Sequence, residues 1–153
     1  MRVVITVKGH KEVGRMYGRV MKRMNNPNPA WDVIINMIHA IQSKQFTTQG
    51  ARGGIPWDDI TDDWREKKAR MGYDARILHM TLKLRESVTS RTAEGHYYRR
   101  TRTSLTVGTT IPYSKIVDEK RPIFGITPAD EREFAHILSV YIAKGYLPRR
   151  GLV

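Results

Sequence analysis

The stretch NNPNP at positions 25–29 sets the first limit on what this chain can fold into. A proline lacks a backbone donor and pushes the residue before it out of the α region, so no helix runs through this point. On its N-terminal side Val13, Met16, Tyr17, Val20, Met21 and Met24 recur at i, i+3, i+4 spacing. That periodicity predicts an amphipathic helix over 11–24 with a basic outer face, weakened somewhat by Gly14 and Gly18. On the other side Trp31, Ile34, Ile35, Ile38 and Ile41 make the stripe of a second helix that ends near Phe46. A broken helix pair is therefore expected.

The remaining segments read more unevenly. VVITV at 3–7 is β-branched and predicts a strand ending at Gly9. TTQGARGG at 47–54 has the composition of a flexible loop. Trp57, Ile60 and Trp64 lie at helical spacing through PWDDITDDWREKKARMG, with Asp62 and Asp63 early and Lys67, Lys68 and Arg70 late, as the helix dipole prefers. After Gly72, the apolar positions Ile77, Leu78, Met80, Leu82, Leu84 and Val88 predict a helix leading into a strand. TSRTAEGHYYRRTRTSLTVG predicts a hairpin turning at Glu94-Gly95, its second arm reaching Gly108. The last element has the plainest signals. Thr127 can cap, Pro128 suits the first helical position, Asp130 and Glu131 favour the first turn, and Gly145 ends it. Its buried stripe is Phe134, Ile137, Leu138, Tyr141 and Ile142.

These elements predict an α+β fold: a small, mostly antiparallel sheet packed against two or three longer helices. At 153 residues the chain fits one domain, placed at 1–145, with mobile arms at about 47–75 and 91–102 and a basic tail at 146–153.

Lys and Arg number 27 against 15 acids, a net charge of +12, which points to a polyanion or to acidic protein neighbours. There is no cysteine, so disulfides, zinc thiolate sites and cysteine nucleophiles are excluded. No apolar run approaches the ~20 residues that span a bilayer, so no membrane contact is expected. MRVVITVKG is too short and β-branched for a signal peptide, so synthesis in a cytoplasm is expected.

Motifs for chemistry are sparse. His10, His39, His79, His96 and His136 are scattered without metal-ligand spacing, and His39 and His136 read as packed or boundary residues within helices. Asp58, Asp59, Asp62 and Asp63 could hold Mg²⁺ for nuclease work, but as helix-start acids beside two tryptophans they need no metal. GARGG lacks the Gly-Lys-Ser/Thr end of a phosphate loop. Neither enzyme nor cofactor nor metal site is expected. Arg91, Arg99, Arg100 and Arg102 flank His96, Tyr97 and Tyr98, a set that could grip phosphate and stack on bases, or order against a neighbouring subunit. Tyr113 and Lys115 have no acid, base or metal partner in view. Tyr113 is expected to pack inward, while Arg121-Pro122-Ile123-Phe124-Gly125 forms a stiff joint before the Thr127 cap.

The order of signals from Phe46 to Gly125 resembles the virion morphogenesis and tail-completion proteins of tailed phages, Mu-like and siphophage neck proteins among them. Phe46 fits the helix end of that family, followed by Pro56-Trp57, Thr61, Lys67 and Gly72. Leu78, Leu82, Leu84, Ser87 and Val88 fill its Leu-rich segment. Val107-Gly108-Thr109 matches a strand end, Tyr113-Ser114 a Tyr-Ala motif, and Arg121-Pro122-Ile123-Phe124-Gly125 an Arg-Pro-aromatic-Gly motif. Met80-Thr81 stands where Thr-Gly is usual, and the glycine after Tyr-Ala is missing. The resemblance implies a non-enzymatic homo-oligomer, a hexameric ring at the head–tail junction of the virion. Such a ring would bind connector or head-completion proteins on one side and tail tube proteins on the other, with genomic DNA passing through its lumen. Trp57, Trp64, Tyr113, Arg121, Pro122 and Phe124 become candidates for the assembly interface, and the arginines and tyrosines of 91–102 for the DNA lumen or an arm. The alternative is a small basic nucleic-acid-binding protein using that same hairpin.

Overall fold

A computed structural model describes residues 10–148. Helix α1 (His10–Asn25) stops at the expected break, and α2 (Asn28–Thr47) starts with Pro27 as its cap residue and Pro29 in its first turn. A one-turn 3₁₀ helix (Ala51–Gly53) follows, then α3 (Asp62–Arg70), α4 (Lys83–Thr89), β1 (His96–Arg100), β2 (Leu105–Thr109), α5 (Ser114–Lys120) and α6 (Pro128–Lys144). The two strands pair antiparallel, from His96 opposite Thr109 to Arg100 opposite Leu105. The fold is α+β with the helices dominant.

Helix α2 is the spine, and two apolar cores form along it. Toward its start, Ala30, Trp31, Ile34 and Ile38 meet Ile137 of α6, with Phe134, Leu138, Leu105 and Val107 packed alongside. Toward its end, Phe46 meets Trp57, Ile77, Leu84, Val88 and Ile123. Helix α4 lies between α2 and the hairpin and touches both strands. Ser87 of α4 shares a 2.7 Å hydroxyl contact with Thr109, and its carbonyl lies 2.8 Å from Nδ1 of His96.

Helix α6 forms as its sequence demands. The Thr127 hydroxyl accepts from the Asp130 amide, the Asp130 carboxylate accepts from the Thr127 amide, and Gly145 closes the helix at φ +81°. This reciprocal cap satisfies donors that would otherwise be orphaned at the helix start.

Several expectations are corrected. The helix expected to include Trp57 begins only at Asp62, where Thr61 caps it; Trp57 lies before it outside any helix or strand, its amide donating to the Gln49 carbonyl. The helix-to-strand segment after Gly72 is a run of turns followed by α4, with no strand. Leu78 and Leu82 sit there at φ +58° and +59°, a left-handed region costly for a branched side chain. The hairpin does not turn at Glu94-Gly95. It turns at Thr101–Ser104, where the Thr101 amide donates to the Ser104 carbonyl at 2.8 Å and the two hydroxyls lie 2.7 Å apart. Gly95 instead makes the bend before β1 at φ +81°, where a Cβ would meet Ile111 at 2.7 Å. The second arm does reach Gly108, and β2 ends one residue later at Thr109. The 47–54 loop packs back on α2: Gly50 is buried, and the Gly53 amide donates to the Gln45 side chain at 2.8 Å. Helix α5 was not anticipated. The strand expected at 3–7, and the tail beyond residue 148, lie outside the described residues.

Candidate assembly surface

The joint Arg121–Gly125 is built around one buried amide. Gln45, at 1% exposure, donates to the Pro122 carbonyl at 3.0 Å and accepts from the Gly53 amide. Trp57 Nε1 donates to the same Pro122 carbonyl at 2.9 Å, and the Trp57 ring stands edge-on to Phe46 at 5.2 Å. Gly125 passes so close to Gln45 that a Cβ would sit 2.4 Å from its side-chain oxygen. The motif glycine is therefore fixed by close approach, since any larger residue would displace the amide. Arg52 completes the assembly. Its guanidinium donates to the Gly125 carbonyl and forks onto both carboxylate oxygens of Asp130, at 2.7 and 2.6 Å. The hydrogen bond from Arg52, the largest cause, holds the Asp130 carboxyl down at about 2.

This geometry sorts the six candidates for an interface. Trp57 is a core residue at 6% exposure and leaves the set. Pro122 is half-buried, its carbonyl spent on two donors. Arg121 donates from Nε and Nη2 to the Asp58 carbonyl, which ties the joint to the acidic segment. Phe124 is half-buried against the Phe46 core. Tyr113 does not point inward. Its ring is exposed, and it serves as the cap residue of α5, its carbonyl accepting from Val117. Trp64 is exposed on α3 with the Lys67 ammonium 5.2 Å from its ring centre.

The hairpin candidates gather on one hub that sequence reading missed, Asp32 on α2. Its carboxylate accepts from Arg91 at 2.8 Å and from Arg100 at 2.9 Å, and the Arg91 bond is the main cause holding its carboxyl below the usual range. Both guanidinium groups also lie 5.9 Å from the Tyr98 ring. Arg102 donates to Asn25 at 3.2 Å, and Trp31 Nε1 reaches the Thr101 carbonyl at 3.0 Å. Tyr97 and Arg99 remain exposed on the outer side. The segment expected as a free arm is docked along α2 and α4. Beneath it His39 and His96 stand edge to face at 5.0 Å. Burial first, then the charges of His96 and Arg91, push His39 down to about 4.

The acids at 58–63 do not converge. Asp59 pairs with Arg65 at 2.7 Å, and among the described residues no group of three His, Cys, Asp or Glu is placed to hold a metal ion. No helix among them is long and apolar enough to cross a membrane.

The most unusual surface is on α1. Its stripe lies open: Val13 is 60% exposed, Tyr17 65%, and Met16, Met21 and Met24 are exposed as well. Among the described residues, α1 is fastened at its end, by Arg23 donating to the Ile142 and Ala143 carbonyls at 2.6 and 2.9 Å, and by the Tyr141 hydroxyl donating to the Asn26 carbonyl just beyond the helix at 3.1 Å. The stripe runs on into a groove of about 440 Å³ lined by Met21, Met24, Trp31, Leu138 and Ile142, with Arg102 at its rim. The periodicity announces this stripe, but nothing in the sequence says that the fold leaves it uncovered.

No protein-family model matches the chain, and no curated protein or solved structure matches it either.

Proposed function

We propose that the chain is a non-enzymatic structural subunit of a phage head–tail junction, acting as a neck, tail-completion or tail-terminator protein within a ring. The observation that carries the assembly half of this reading is the open face of α1. Five large apolar side chains on one helix face are left in water, a pattern typical of a surface that awaits a protein neighbour. The phage half rests on the ordered motifs, and the Gln45-centred joint gives the Arg-Pro-aromatic-Gly motif a physical role in setting α6. In a ring around DNA, a charge of +12 would have a polyanion in the lumen.

The nucleic-acid-binding alternative is less favoured. Arg91 and Arg100 share the Asp32 carboxylate, so a phosphate contact by either of them would compete with an existing ion pair.

Immuno-electron microscopy on virions from the genome that encodes the chain tests the proposal. Label is expected at the head–tail junction, and disruption of the gene should give filled heads and tails that fail to join. Normally joined, infectious particles after disruption would sink the reading.

A further inference from the structure

The hairpin closes over polar atoms that have nothing to bond. Nε2 of His39 and Nε2 of His96 are buried without a hydrogen-bond partner among the described residues. Gln42, one turn further along α2, is fully buried and both of its amide atoms lack a partner as well. Buried polar groups are normally paired, so such a cluster calls for a reason. The tautomer of His96 is set by its neighbour. Its Nδ1 lies 2.8 Å from the Ser87 carbonyl, which can only accept, so in the neutral ring Nδ1 carries the proton and Nε2 is bare. The His39 ring stands edge to face with it at 5.0 Å.

Each neighbouring element adds little that could welcome a positive ring. The chain between α4 and β1 brings Arg91, and β1 brings Arg100 and the Tyr98 ring, 5.7 Å from that of His96. Helix α2 itself supplies Asp32, two turns before His39, but its carboxylate is shared by Arg91 and Arg100. Helix α4 offers Ser87 and β2 offers Thr109, both uncharged.

We propose that the His39–His96 pair is an acid-sensitive latch that loosens the 91–109 hairpin from α2 when the imidazoles take up protons. A proton added at either Nε2 makes a buried donor with no acceptor, beside a second ring and the Arg91 guanidinium. Once the hairpin lifts, water reaches both rings and the penalty disappears. Asp32 does not set the trigger. Its carboxyl is held below the usual range, so its bridges stay charged while histidine titrates. Release carries Arg91, Arg99 and Arg100 away from α2 as a basic arm.

The direction follows from the two states of His39. Docked, it takes its proton only near pH 4, chiefly because of burial; freed, it returns to 6.5. Docking is therefore strongest above pH 6.5, weakens as pH falls from there to about 4, and changes no further below that. By pH 5 the ratio of released to docked hairpin should rise about thirtyfold.

Hydrogen exchange followed by NMR on the full chain tests the latch, with rates corrected for their intrinsic pH dependence. The probe is the Trp31 indole N–H, which donates to the Thr101 carbonyl at the hairpin turn. Its exchange should quicken about thirtyfold between neutral pH and pH 5, while the amides of α6 keep their protection. His39→Phe retains a ring against His96 but takes no proton there, and should lose most of that rise. If circular dichroism shows that this variant does not fold, the wild-type chain still decides: the His39 ring protons should titrate well below 6.5. Constant Trp31 exchange overturns the latch, as does an equal rise in a folded His39→Phe. A His39 midpoint at 6.5 with Trp31 still protected overturns it too. Loss of α6 protection in step with Trp31 would mean that acid unfolds the whole molecule, and the latch would fall.

Discussion

Helix α6 places Phe134, Ile137, Leu138 and Tyr141 along one face, and α1 places Val13, Met16, Tyr17, Met21 and Met24 along another by the same spacing. In α6 that face packs against Trp31, Ile34 and Ile38, and Ile137 is 2% exposed. In α1 it looks into solvent. Both helices hold the same message about which residues share a side. What separates them is fastening. The reciprocal Thr127–Asp130 cap, the Arg52 fork and the Gly145 stop secure α6 at both ends. Among the described residues, the long-range hydrogen bonds of α1 all come from its last turns. Amphipathic spacing thus reports that a face wants covering, while the cover itself is a property of the tertiary or quaternary structure.

Four substitutions would break or sharpen this contrast. The largest effect is expected from Ile137→Ala, which should lower stability by about 3 kcal/mol in urea unfolding because it opens a cavity between α6 and α2. Asp130→Asn should cost about 2 kcal/mol, since it leaves the Arg52 guanidinium half-buried without its carboxylate. Its pH signature follows from the depressed carboxyl. The wild-type contribution is complete above the unfolded value of 3.8 and disappears as pH falls toward about 2, so acid unfolding curves of wild type and variant should converge there. Arg23→Ala should cost about 1 kcal/mol and quicken amide exchange throughout α1, while in α6 the effect stays in the last turn, whose Ile142 and Ala143 carbonyls lose their donor. Met16→Ser is the smallest: a change within about 0.5 kcal/mol in the dilute monomer. A loss for Met16→Ser comparable with that of Ile137→Ala would mean that the α1 face is covered within one copy, and the contrast would fail.

What could be read from the sequence followed from local physics. The proline break, both helices around it, and the start and end of α6 depend on residues within a few positions of one another, and the structure has them all. The misreadings share a cause. The hairpin turn was sought at a glycine, but Thr101 and Ser104 close it through side-chain hydroxyls. Trp57 lies in helical register with Ile60 and Trp64, yet its indole reaches the Pro122 carbonyl, a tertiary contact that overrides the period. Tyr113, expected to pack inward, is instead an exposed helix cap. For the candidate surface, the sequence does not announce which residues meet. Asp32 appeared as one acid on a helix, and only the fold brings Arg91 and Arg100 to it from 59 and 68 positions away.

The contact between Gln45 and Gly125 also has an evolutionary reading. With 2.4 Å between the amide oxygen and the place a Cβ would occupy, neither position can drift alone. A shorter residue at 45 would abandon the Pro122 carbonyl and the Gly53 amide, while releasing the constraint that keeps 125 a glycine. Among relatives of this chain the two positions should change together, along with the length of the turn that brings Gly53 near. That makes residue 45, a plain helical glutamine in the sequence, the position whose substitutions should foretell where residue 125 is free to be something other than glycine.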